Sequence, residues 1–288
     1  MNKGILIFAH NNPQIDYGLM AIISGGLAKK NLNVPVSLVT DKWTIAWLKE
    51  SNMYSKAENI FDKIIEVEKP ATTNYRKLHD GVDSQGQTVP FINSNRYSAW
   101  ELTPYDRTLL IDSDFLIFSD SLNEYWDLEE DVLIGESIND IYGNDRLGYH
   151  DVYVSDVGVK LYWATTVMFT KNKTSKLFFD TVSSIKENYQ TYADIFRFDS
   201  RQFRNDIAFS IAKHKLEGFE KSYFKNLPPV LTLLDKDILH NVKDKSLVLL
   251  VSDKLNNGFY AASINGMDIH IMNKQSIIRN KEKLLELI

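Results

Sequence analysis

Short apolar runs alternate with amphipathic stretches over the first part of the chain. Residues 5–9 are wholly apolar and are followed by a polar His-Asn-Asn-Pro segment, a pattern typical of a strand buried in a parallel sheet. In residues 19–27 the large apolar side chains recur at helical spacing. Two further predicted strands, 35–41 and 64–67, flank a second predicted helix at 42–51. This alternation predicts a doubly wound α/β fold.

Small residues mark one face of the first predicted helix. Gly18, Ala21 and Gly25 recur at helical spacing. A face without bulky side chains suits close packing, and we expect it to lie against the sheet.

Two stretches have no helical or strand periodicity. In residues 69–93 the composition shifts to Thr, Asp, Gly, Gln and Pro, and residues 139–156 are rich in Tyr, Asp and Gly. Loops of this length in compact domains usually carry function or are disordered. We expect two long loops over the functional face, and whether they close as lids on a bound ligand is left open.

The remaining apolar segments predict further elements. Strands are expected at 108–112, 132–134, 161–170, 230–234 and 247–251, and helices at 96–102, 173–189, 200–215 and 276–288. No repeat, linker or low-complexity tract separates them. The prediction is one α/β domain over residues 1–288, with a mixed, mainly parallel central sheet flanked by helices.

The composition is that of a folded globular protein. Of 288 residues, 44% are hydrophobic and 25% are charged, which excludes fibrous and intrinsically disordered classes. The formal net charge of −5 argues against a surface that binds polyanions over its whole area, although a local basic patch stays open. The chain has no cysteine, so disulfides, thiolate metal sites and cysteine nucleophiles are excluded, and any metal must bind oxygen or imidazole.

The sequence has no apparent targeting or membrane segment. The apolar run at residues 5–9 is too short for the core of a signal peptide and far shorter than the ~20 residues that a membrane helix needs. We therefore expect no membrane span and a cytoplasmic location.

The most informative motif is Asp112-Ser113-Asp114, at the end of a predicted buried strand. Ligands of open α/β sheets bind at the carboxyl ends of strands. Positions i and i+2 share a face, so both carboxylates can be directed at one cation. Mn²⁺ and Mg²⁺ are hard ions that take oxygen ligands and bridge to phosphates. The competing interpretation is a turn in which the aspartates cap backbone amides.

A second candidate group lies near the C-terminus. His270 follows a late predicted strand, and Lys274 comes four residues later. Imidazole suits Mn²⁺ as a third protein ligand, and a lysine ammonium is a point charge for a phosphate. The competing interpretation of His270 is a structural histidine.

These motifs together resemble the glycosyltransferases of the GT-A (Rossmann-like) fold, especially the retaining enzymes related to glycogenin and to bacterial lipopolysaccharide galactosyl- and glucosyltransferases. The resemblance spans nearly the whole chain and lies in pattern rather than identity. The matching positions are, in chain order, Phe8-Ala9-His10-Asn11, Arg96, Asp112-Ser113-Asp114, Ala164-Thr165-Thr166, Asn205-Asp206, and His270 with Lys274.

The resemblance implies an activity and a division of the chain. It implies a metal-dependent, retaining transfer of a sugar from a nucleotide diphosphate donor, a UDP-sugar, to an acceptor hydroxyl. Residues 1–118 would form the nucleotide-binding half, and residues 119–288 the acceptor-side half with a C-terminal metal and phosphate segment. No dedicated nucleophile is required, because the leaving phosphate can take the acceptor proton.

The resemblance also implies roles for the motif residues. Asp112 contacts ribose or the metal, and Ser113 belongs to the donor site. Asp114 and His270 bind the metal, which we expect to be Mn²⁺ or Mg²⁺. Lys274 binds the diphosphate.

Arg96 and Asp206 are the candidate catalytic residues. Arg96 would neutralise diphosphate charge, and its alternative is a salt bridge with Glu101 or Asp106. By resemblance Asp206 lies beside the donor sugar, where it orients hydroxyls or stabilises developing positive charge. Its alternative is a solvated helix residue.

Residues after the first two strands complete the predicted donor site. They are His10, Asn11, Asp16, Tyr17, Thr40 and Asp41. His10 and Asn11 follow from the resemblance. Asp16 and Tyr17 suit contact or stacking with the base, and Thr40 and Asp41 suit the uracil or ribose edge. For Tyr17 the alternative is simple packing.

The acceptor is left open. The opening Phe-Ala-His-Asn-Asn and the later Val-Pro-Val-Ser-Leu-Val-Thr-Asp look like uncharacterised glycosyltransferases of tailed bacteriophages. That resemblance adds a hydroxymethylated DNA base to glycans and small molecules as acceptors, although the acidic balance counts against strong DNA binding.

Two other functions also stay open. A nucleotidyltransferase would share the metal carboxylates but usually has a Gly-rich loop near its first strand, which is absent here. A non-catalytic nucleotide-sugar-binding protein would carry the same carboxylates. The sequence does not indicate an oligomeric state.

Overall fold

The computed structural model describes residues 1–70, 74–81, 86–141, 147–148, 151–156, 158–219, 225–253 and 258–288. Its strands are β1 (Lys3–Phe8), β2 (Val36–Thr40), β3 (Lys63–Glu66), β4 (Asn74–Leu78), β5 (Gln87–Phe91), β6 (Arg107–Ile111), β7 (Phe115–Leu116), β8 (Val132–Gly135), β9 (Ile138–Asp140), β10 (Trp163–Thr170), β11 (Val230–Leu233), β12 (Ile238–Lys243), β13 (Ser246–Asp253), β14 (Gly258–Asn265) and β15 (Ile269–Ile271). Its α-helices are α1 (Tyr17–Leu32), α2 (Lys42–Glu50), α3 (Tyr54–Ile60), α4 (Ala99–Leu102), α5 (Lys173–Glu187), α6 (Tyr189–Phe196), α7 (Asn205–Leu216), α8 (Lys274–Arg279) and α9 (Lys281–Leu285). Short 3₁₀ helices cover Arg96–Ser98 and Ser121–Tyr125.

The central sheet has six strands in the order β3-β2-β1-β6-β10-β8. The first four strands in that order are parallel, and β10 runs antiparallel to both of its neighbours. Nearly every residue of β1, β2, β6 and β10 is buried, as expected for strands covered by helices. Helix α1 contacts β1 and β2, and α7 contacts β10. The predicted mixed, mainly parallel α/β sheet flanked by helices is confirmed.

A second sheet joins segments that are far apart in the sequence. Its order is β7-β15-β11-β9, and β7 pairs antiparallel with β15. In this pairing His270 lies opposite Phe115. Because β7 follows β6 within a few residues, the pairing brings the C-terminal part of the chain to the end of β6.

Residues 74–78 and 87–91 form a structure that the composition did not predict. Strands β4 and β5 form an antiparallel ribbon, so the expected long loop is wrong for these residues. The ribbon buries only Leu78 and Val89. With so few buried positions, a strand pair leaves little hydrophobic alternation in the sequence. Parts of both expected loops, 71–73, 82–85, 142–146 and 149–150, lie outside the described residues.

The small residues of α1 face neighbouring helices, so the expectation that they lie against the sheet is wrong. A Cβ atom on Gly18 would lie 3.1 Å from Thr44 of α2, and one on Gly25 would lie 2.7 Å from the ring of Phe61, which follows α3. Helix α1 is buried almost all round, so its small face could serve a helix as well as a sheet.

Several element boundaries also differ from the prediction. The helix expected at 200–215 begins at Asn205, and the terminal helix is broken into α8 and α9 at Asn280. The Asn280 side chain donates to the carbonyl oxygens of Leu239 and Ser276, which ends α8 there. Elements α3, α6, β12 and β14 were not predicted, because they are short or only partly buried.

No helix within the described ranges is long and apolar enough to cross a membrane. The single domain over residues 1–288 and its two halves remain predictions.

Candidate active site

A cavity of about 830 Å³ opens where β6 ends and β10 begins. Its lining comes from separate parts of the chain, among them the Asp112-Ser113-Asp114 turn, the start of β10, the β4–β5 ribbon, the start of α7, and His270 with Lys274. The carboxyl edge of the central sheet therefore gathers polar residues that are distant in sequence, as open α/β sheets do.

The Asp-Ser-Asp segment is a turn between β6 and β7. The Asp112 amide donates to the carbonyl oxygen of Thr165 on β10 at 3.0 Å, and the Ile271 amide on β15 donates to the carbonyl oxygen of Asp114 at 2.9 Å. The turn is thus fixed by both sheets. Its carboxylates pair with other charged side chains, Arg96 and Lys274, instead of capping the turn's own amides.

The predicted metal ligands lie together in the cavity. Asp112, Asp114 and His270 offer ligand atoms that all lie within 4.8 Å of one another. His270 Nε2 is 3.4 Å from Asp114 Oδ1, and Lys274 Nζ is 2.5 Å from Asp114 Oδ2. The pairing of β15 with β7 places His270 there, and Lys274 follows as the first residue of α8.

Burial and neighbouring charges shift the pKa values of Asp112 and Asp114 in opposite directions. Burial raises the pKa of Asp112 above its usual range, and the Arg96 guanidinium offsets this only in part. Burial also favours the neutral form of Asp114, but the Lys274 ammonium and the His270 imidazole outweigh it and hold the pKa of Asp114 well below its usual range. Lys274 and His270 therefore favour the ionised form of Asp114, and a cation at the site would favour the ionised form of Asp112 as well.

The donor set fits a hard divalent cation. Two carboxylates and one imidazole supply oxygen and nitrogen ligands. The Asp112 side chain is 31% exposed and lines the cavity. Within the described part of the chain, the buried Nδ1 of His270 has no hydrogen-bond partner. The Asp112, Asp114 and His270 group can thus hold a divalent metal.

Arg96 faces the same turn from the other side. Its Nη1 lies 2.9 Å from Asp112 Oδ1 and donates to the carbonyl oxygen of Ala164 at 2.6 Å. The alternative salt bridges are not formed, since Glu101 pairs with Lys176 and Asp106 accepts from the backbone of Asn2. Arg96 Nε and Nη2 are buried without a partner among the described residues, so the guanidinium has unused donors at the cavity.

Asp206 and Asn205 line the cavity at the start of α7. The Asp206 carboxylate accepts from Arg204 Nε at 3.0 Å and forms an ion pair with the same guanidinium. Asp206 is thus a carboxylate held by a neighbouring arginine and not a freely solvated one.

Some of the predicted donor residues line the cavity, and others do not. Tyr17 and Ser113 line the cavity. Burial raises the pKa of Tyr17 to about 12, and its hydroxyl has no partner among the residues described. Asp16 instead caps α1 and accepts hydrogen bonds from Asn11 Nδ2 and Trp47 Nε1.

His10, Thr40 and Asp41 lie beneath the cavity lining and are almost wholly buried. His10 Nδ1 is 2.8 Å from Asp41 Oδ2, and the Thr40 hydroxyl donates to the carbonyl oxygen of Ala9. Asp41 also caps α2. The structure therefore does not bring these residues, or Asn11 and Asp16, into the cavity, and their contact with a donor remains a prediction.

Sequence reasoning missed the contribution of the ribbon and of Trp163. Tyr75, Arg76 and His79 line the cavity from the β4 side, and Trp163 lines it from β10 with its buried Nε1 unpartnered in the described ranges. The sequence carries little signal for the ribbon, because only Leu78 and Val89 in it are buried.

Comparison with known proteins gives matches only to solved structures. No family model and no curated protein matches the chain. The galactosyltransferase LgtC in complex with donor and acceptor sugar analogs is 17% identical, with 72% of this chain and 70% of that chain covered and a TM-score of 0.44. Mouse xyloside xylosyltransferase 1 in its apo form is 12% identical, with 81% and 88% covered and a TM-score of 0.46.

A third match is the apo form of the glycosyltransferase GlyE from Streptococcus pneumoniae, which is 13% identical, with 75% of this chain and 43% of that chain covered and a TM-score of 0.38. These matched structures belong to the class that the sequence motifs resemble, the glycosyltransferases. The functional proposal rests on the geometry of the site.

Proposed function

We propose that this chain is a metal-dependent glycosyltransferase that transfers a sugar from a nucleotide diphosphate donor, a UDP-sugar, to an acceptor hydroxyl. One observation carries the proposal. Ligand atoms of Asp112, Asp114 and His270 lie within 4.8 Å of one another in a cavity that Arg96 and Lys274 also line. A cation site flanked by an arginine and a lysine suits a diphosphate, whose negative charge each of them attracts.

Asp112, Asp114 and His270 would hold the cation, Mn²⁺ or Mg²⁺. When bound, such a cation neutralises charge on the departing diphosphate. The ligands are held by the sheets around them, because Asp112 is anchored to β10 and Asp114 to β15 through backbone hydrogen bonds. Ligands held by regular elements keep their geometry better than ligands on free loops.

Lys274 and Arg96 are proposed to bind the leaving diphosphate. Lys274 is buried and donates to Asp114 Oδ2 and, at 3.3 Å, to the carbonyl oxygen of Met272. Arg96 is buried with two nitrogens that no described residue uses. Cationic donors in a buried site stabilise developing phosphate charge more than exposed donors do, because water screens them less.

Asp206 is proposed to orient the hydroxyls of the donor sugar or to stabilise positive charge as the glycosidic bond breaks. Its pairing with Arg204 fixes the carboxylate at the cavity wall. The transfer is proposed to be retaining, so no side chain is assigned as a nucleophile, and the leaving phosphate takes the acceptor proton.

The remaining predicted donor residues are given two kinds of role. Tyr17 and Ser113 line the cavity and are proposed to touch the donor. The other predicted donor residues form a hydrogen-bonded group beneath them, namely His10, Asn11, Asp16, Thr40 and Asp41. This group is proposed to hold the ends of β1 and β2 in place.

The test is a panel of UDP-, GDP- and ADP-sugars with Mn²⁺, Mg²⁺ or EDTA, read by thermal shift and by release of nucleotide diphosphate. A donor at 100 times its Kd should stabilise the protein by about 2.7 kcal/mol. We expect one UDP-sugar to do so and to be slowly hydrolysed, in both cases only with metal. Asp114→Asn should abolish both effects. The matched control is Asp180→Asn on the exposed face of α5, where the side chain is 58% exposed.

Each outcome decides between functions. Metal-dependent hydrolysis that Asp114→Asn abolishes supports the glycosyltransferase and identifies its sugar, after which glycans, small molecules and DNA with hydroxymethylated bases can be tried as acceptors. Binding without hydrolysis in the presence or absence of any of these acceptors supports a non-catalytic nucleotide-sugar-binding protein. No binding of any nucleotide sugar, with Asp114→Asn equal to the wild type, overturns the proposal.

A further inference from the structure

The β4–β5 ribbon forms part of the cavity wall and carries a cation that the proposed function does not use. Burial alternates along β4, where Arg76 is half-buried and Leu78 is buried, whereas Tyr75 and Lys77 are exposed. Alternate residues of a strand share a face, so Arg76 lies on the inner face of the ribbon. Arg76 and Lys274 both line the cavity.

Both ends of β4 are fixed to elements that carry the site. At one end, Asn74 Oδ1 accepts from the amide of Phe203, just before α7, at 3.3 Å. At the other end, Asp80 accepts from both terminal nitrogens of Arg279 on α8, at 2.5 and 2.7 Å. Asp80 also accepts from Asn273, the N-cap residue of α8, at 3.4 Å. These hydrogen bonds tie the β4 segment to the residues before α7 and to α8.

Arg76 differs from its neighbours in having no carboxylate partner. The other buried or half-buried cations of the site are paired, namely Arg96 with Asp112, Lys274 with Asp114, and Arg204 with Asp206. No carboxylate in the described ranges pairs with Arg76, whose guanidinium instead lies 5.4 Å from the centroid of the Phe91 ring.

Arg76 and Lys274 are two cations in the lining of one cavity, and Lys274 is buried. Two cations that share one cavity repel each other, and an anion between them removes that cost. The ligand that suits them both has negative charge on more than one oxygen.

We propose that Arg76 and Lys274 form a clamp for the diphosphate of the donor, which makes the β4–β5 ribbon part of the donor site. The identity of the donor rests on the proposed function, whereas the clamp itself requires only a diphosphate. The planar guanidinium binds two phosphate oxygens at once, and the ammonium acts as a point charge. A monophosphate is too small to engage both cations fully.

The experiment is calorimetric titration of inorganic pyrophosphate, UDP and UMP, each with Mn²⁺, into the full-length wild type and its variants. Arg76→Gln should weaken binding of pyrophosphate and UDP by at least about tenfold, the loss expected for one hydrogen bond to a charged group. The affinity for UMP should change much less. Arg76→Lys should restore part of the affinity, because it returns the charge without the planar fork.

The matched control is Lys243→Gln, which removes the same charge from an exposed position of β12 outside the cavity lining. Its affinities should stay within about twofold of the wild type, as for an exposed charge. Equal losses in Arg76→Gln and Lys243→Gln would indicate a general field effect and overturn the clamp. Unchanged pyrophosphate affinity in Arg76→Gln, or no pyrophosphate binding by the wild type, overturns it as well.

The clamp and the glycosyltransferase proposal fail separately. If pyrophosphate binds in an Arg76-dependent manner while no nucleotide sugar binds or is cleaved, the clamp stands and the glycosyltransferase proposal fails. If Arg76→Gln cleaves the donor with an unchanged KM, the clamp fails and the glycosyltransferase proposal stands.

Discussion

Four charged side chains line the cavity around the Asp-Ser-Asp turn. Asp112 and Asp114 are two positions apart, yet Arg96 pairs with the first and Lys274 with the second. Buried ion pairs gain little net stability, since the cost of removing both charges from water offsets their attraction. Four buried or half-buried charged side chains at one turn therefore contribute little net stability, which agrees with their proposed role in binding a charged donor.

At the same scale, His214 should make stability depend on pH. Burial lowers the pKa of His214, whose Nε2 donates to the carbonyl oxygen of Lys160. In the unfolded chain this imidazole binds a proton near pH 6.5, whereas in the folded chain it binds one only at a lower pH. The contribution of His214 to the free energy of unfolding is therefore complete above pH 6.5 and decreases as the pH falls through that value.

The variant His214→Gln should reduce the loss of stability between pH 6.5 and 5, because its amide can still donate to Lys160 but cannot titrate. Urea unfolding at constant ionic strength measures this slope. His240→Gln, at an exposed position of β12, is the control and should keep the wild-type slope. An equal slope in wild type and His214→Gln would refute the assignment.

At the scale of elements, small residues decide how closely helices approach. Gly25 of α1 faces Phe61 and Ile60 at the end of α3, and a Cβ atom there would lie 2.7 Å from the Phe61 ring. Helix propensity alone would favour alanine by about 1 kcal/mol. The ring leaves no room for the added methyl group, so packing and propensity oppose each other here.

Gly25→Ala should therefore destabilise the protein by about 1 kcal/mol or more, since overpacking a core costs about 1–3 kcal/mol. Urea unfolding of Gly25→Ala, Phe61→Leu and the double variant measures the coupling. We expect the double variant to be more stable than the sum of the single effects, because leucine gives space to the new methyl group. A stabilising Gly25→Ala would show that propensity outweighs packing at this position.

At the scale of the whole molecule, the C-terminal segment is tied to the first helix and to the site. Strand β15 pairs with β7, and α9 contacts α1. Lys30 and Lys56 donate to the carbonyl oxygens of Leu287 and Leu285 at 2.6 and 3.0 Å. These contacts hold the C-terminal segment against α1 and α3.

Because of these contacts, we expect the protein to unfold in one cooperative transition. A destabilising substitution in α9 should then shift the whole transition. Leu284 of α9 is fully buried, so Leu284→Ala should cost about 2–5 kcal/mol. Far-UV circular dichroism and tryptophan fluorescence should report the same shifted midpoint. Leu177→Ala, at a position that is 55% exposed, is the control and should cost under about 0.5 kcal/mol. Two separate transitions would contradict the single domain.

Much of the fold follows from local patterns. The strands near residues 5–9, 35–41 and 108–112 were predictable, because each is a short apolar run that a buried parallel strand requires. Helix α1 was predictable from its periodicity. The β4–β5 ribbon was not, because it buries only Leu78 and Val89 and its remaining residues are those of a polar loop.

The residues of the site were predictable as types but not as partners. Two carboxylates at a strand end, a late histidine and a lysine are chemical choices that the sequence states directly, and the structure brings them into one cavity. Arg96 pairs with Asp112, whereas the nearer Glu101 and Asp106 were the sequence alternatives. Asp206 pairs with Arg204, whereas a solvated helix residue was the sequence alternative.

The sequence by itself determined the α/β class, the order of its main elements and the set of side chains able to bind a cation, because these depend on periodicity and residue type. Only the tertiary structure decided that α1 presents Gly25 to the end of α3, that β15 brings His270 to Asp114, and that Arg76 and Lys274 line one cavity. Each of these arrangements joins segments that are distant in the sequence. Local periodicity records which face of an element is buried but carries no information about what covers it.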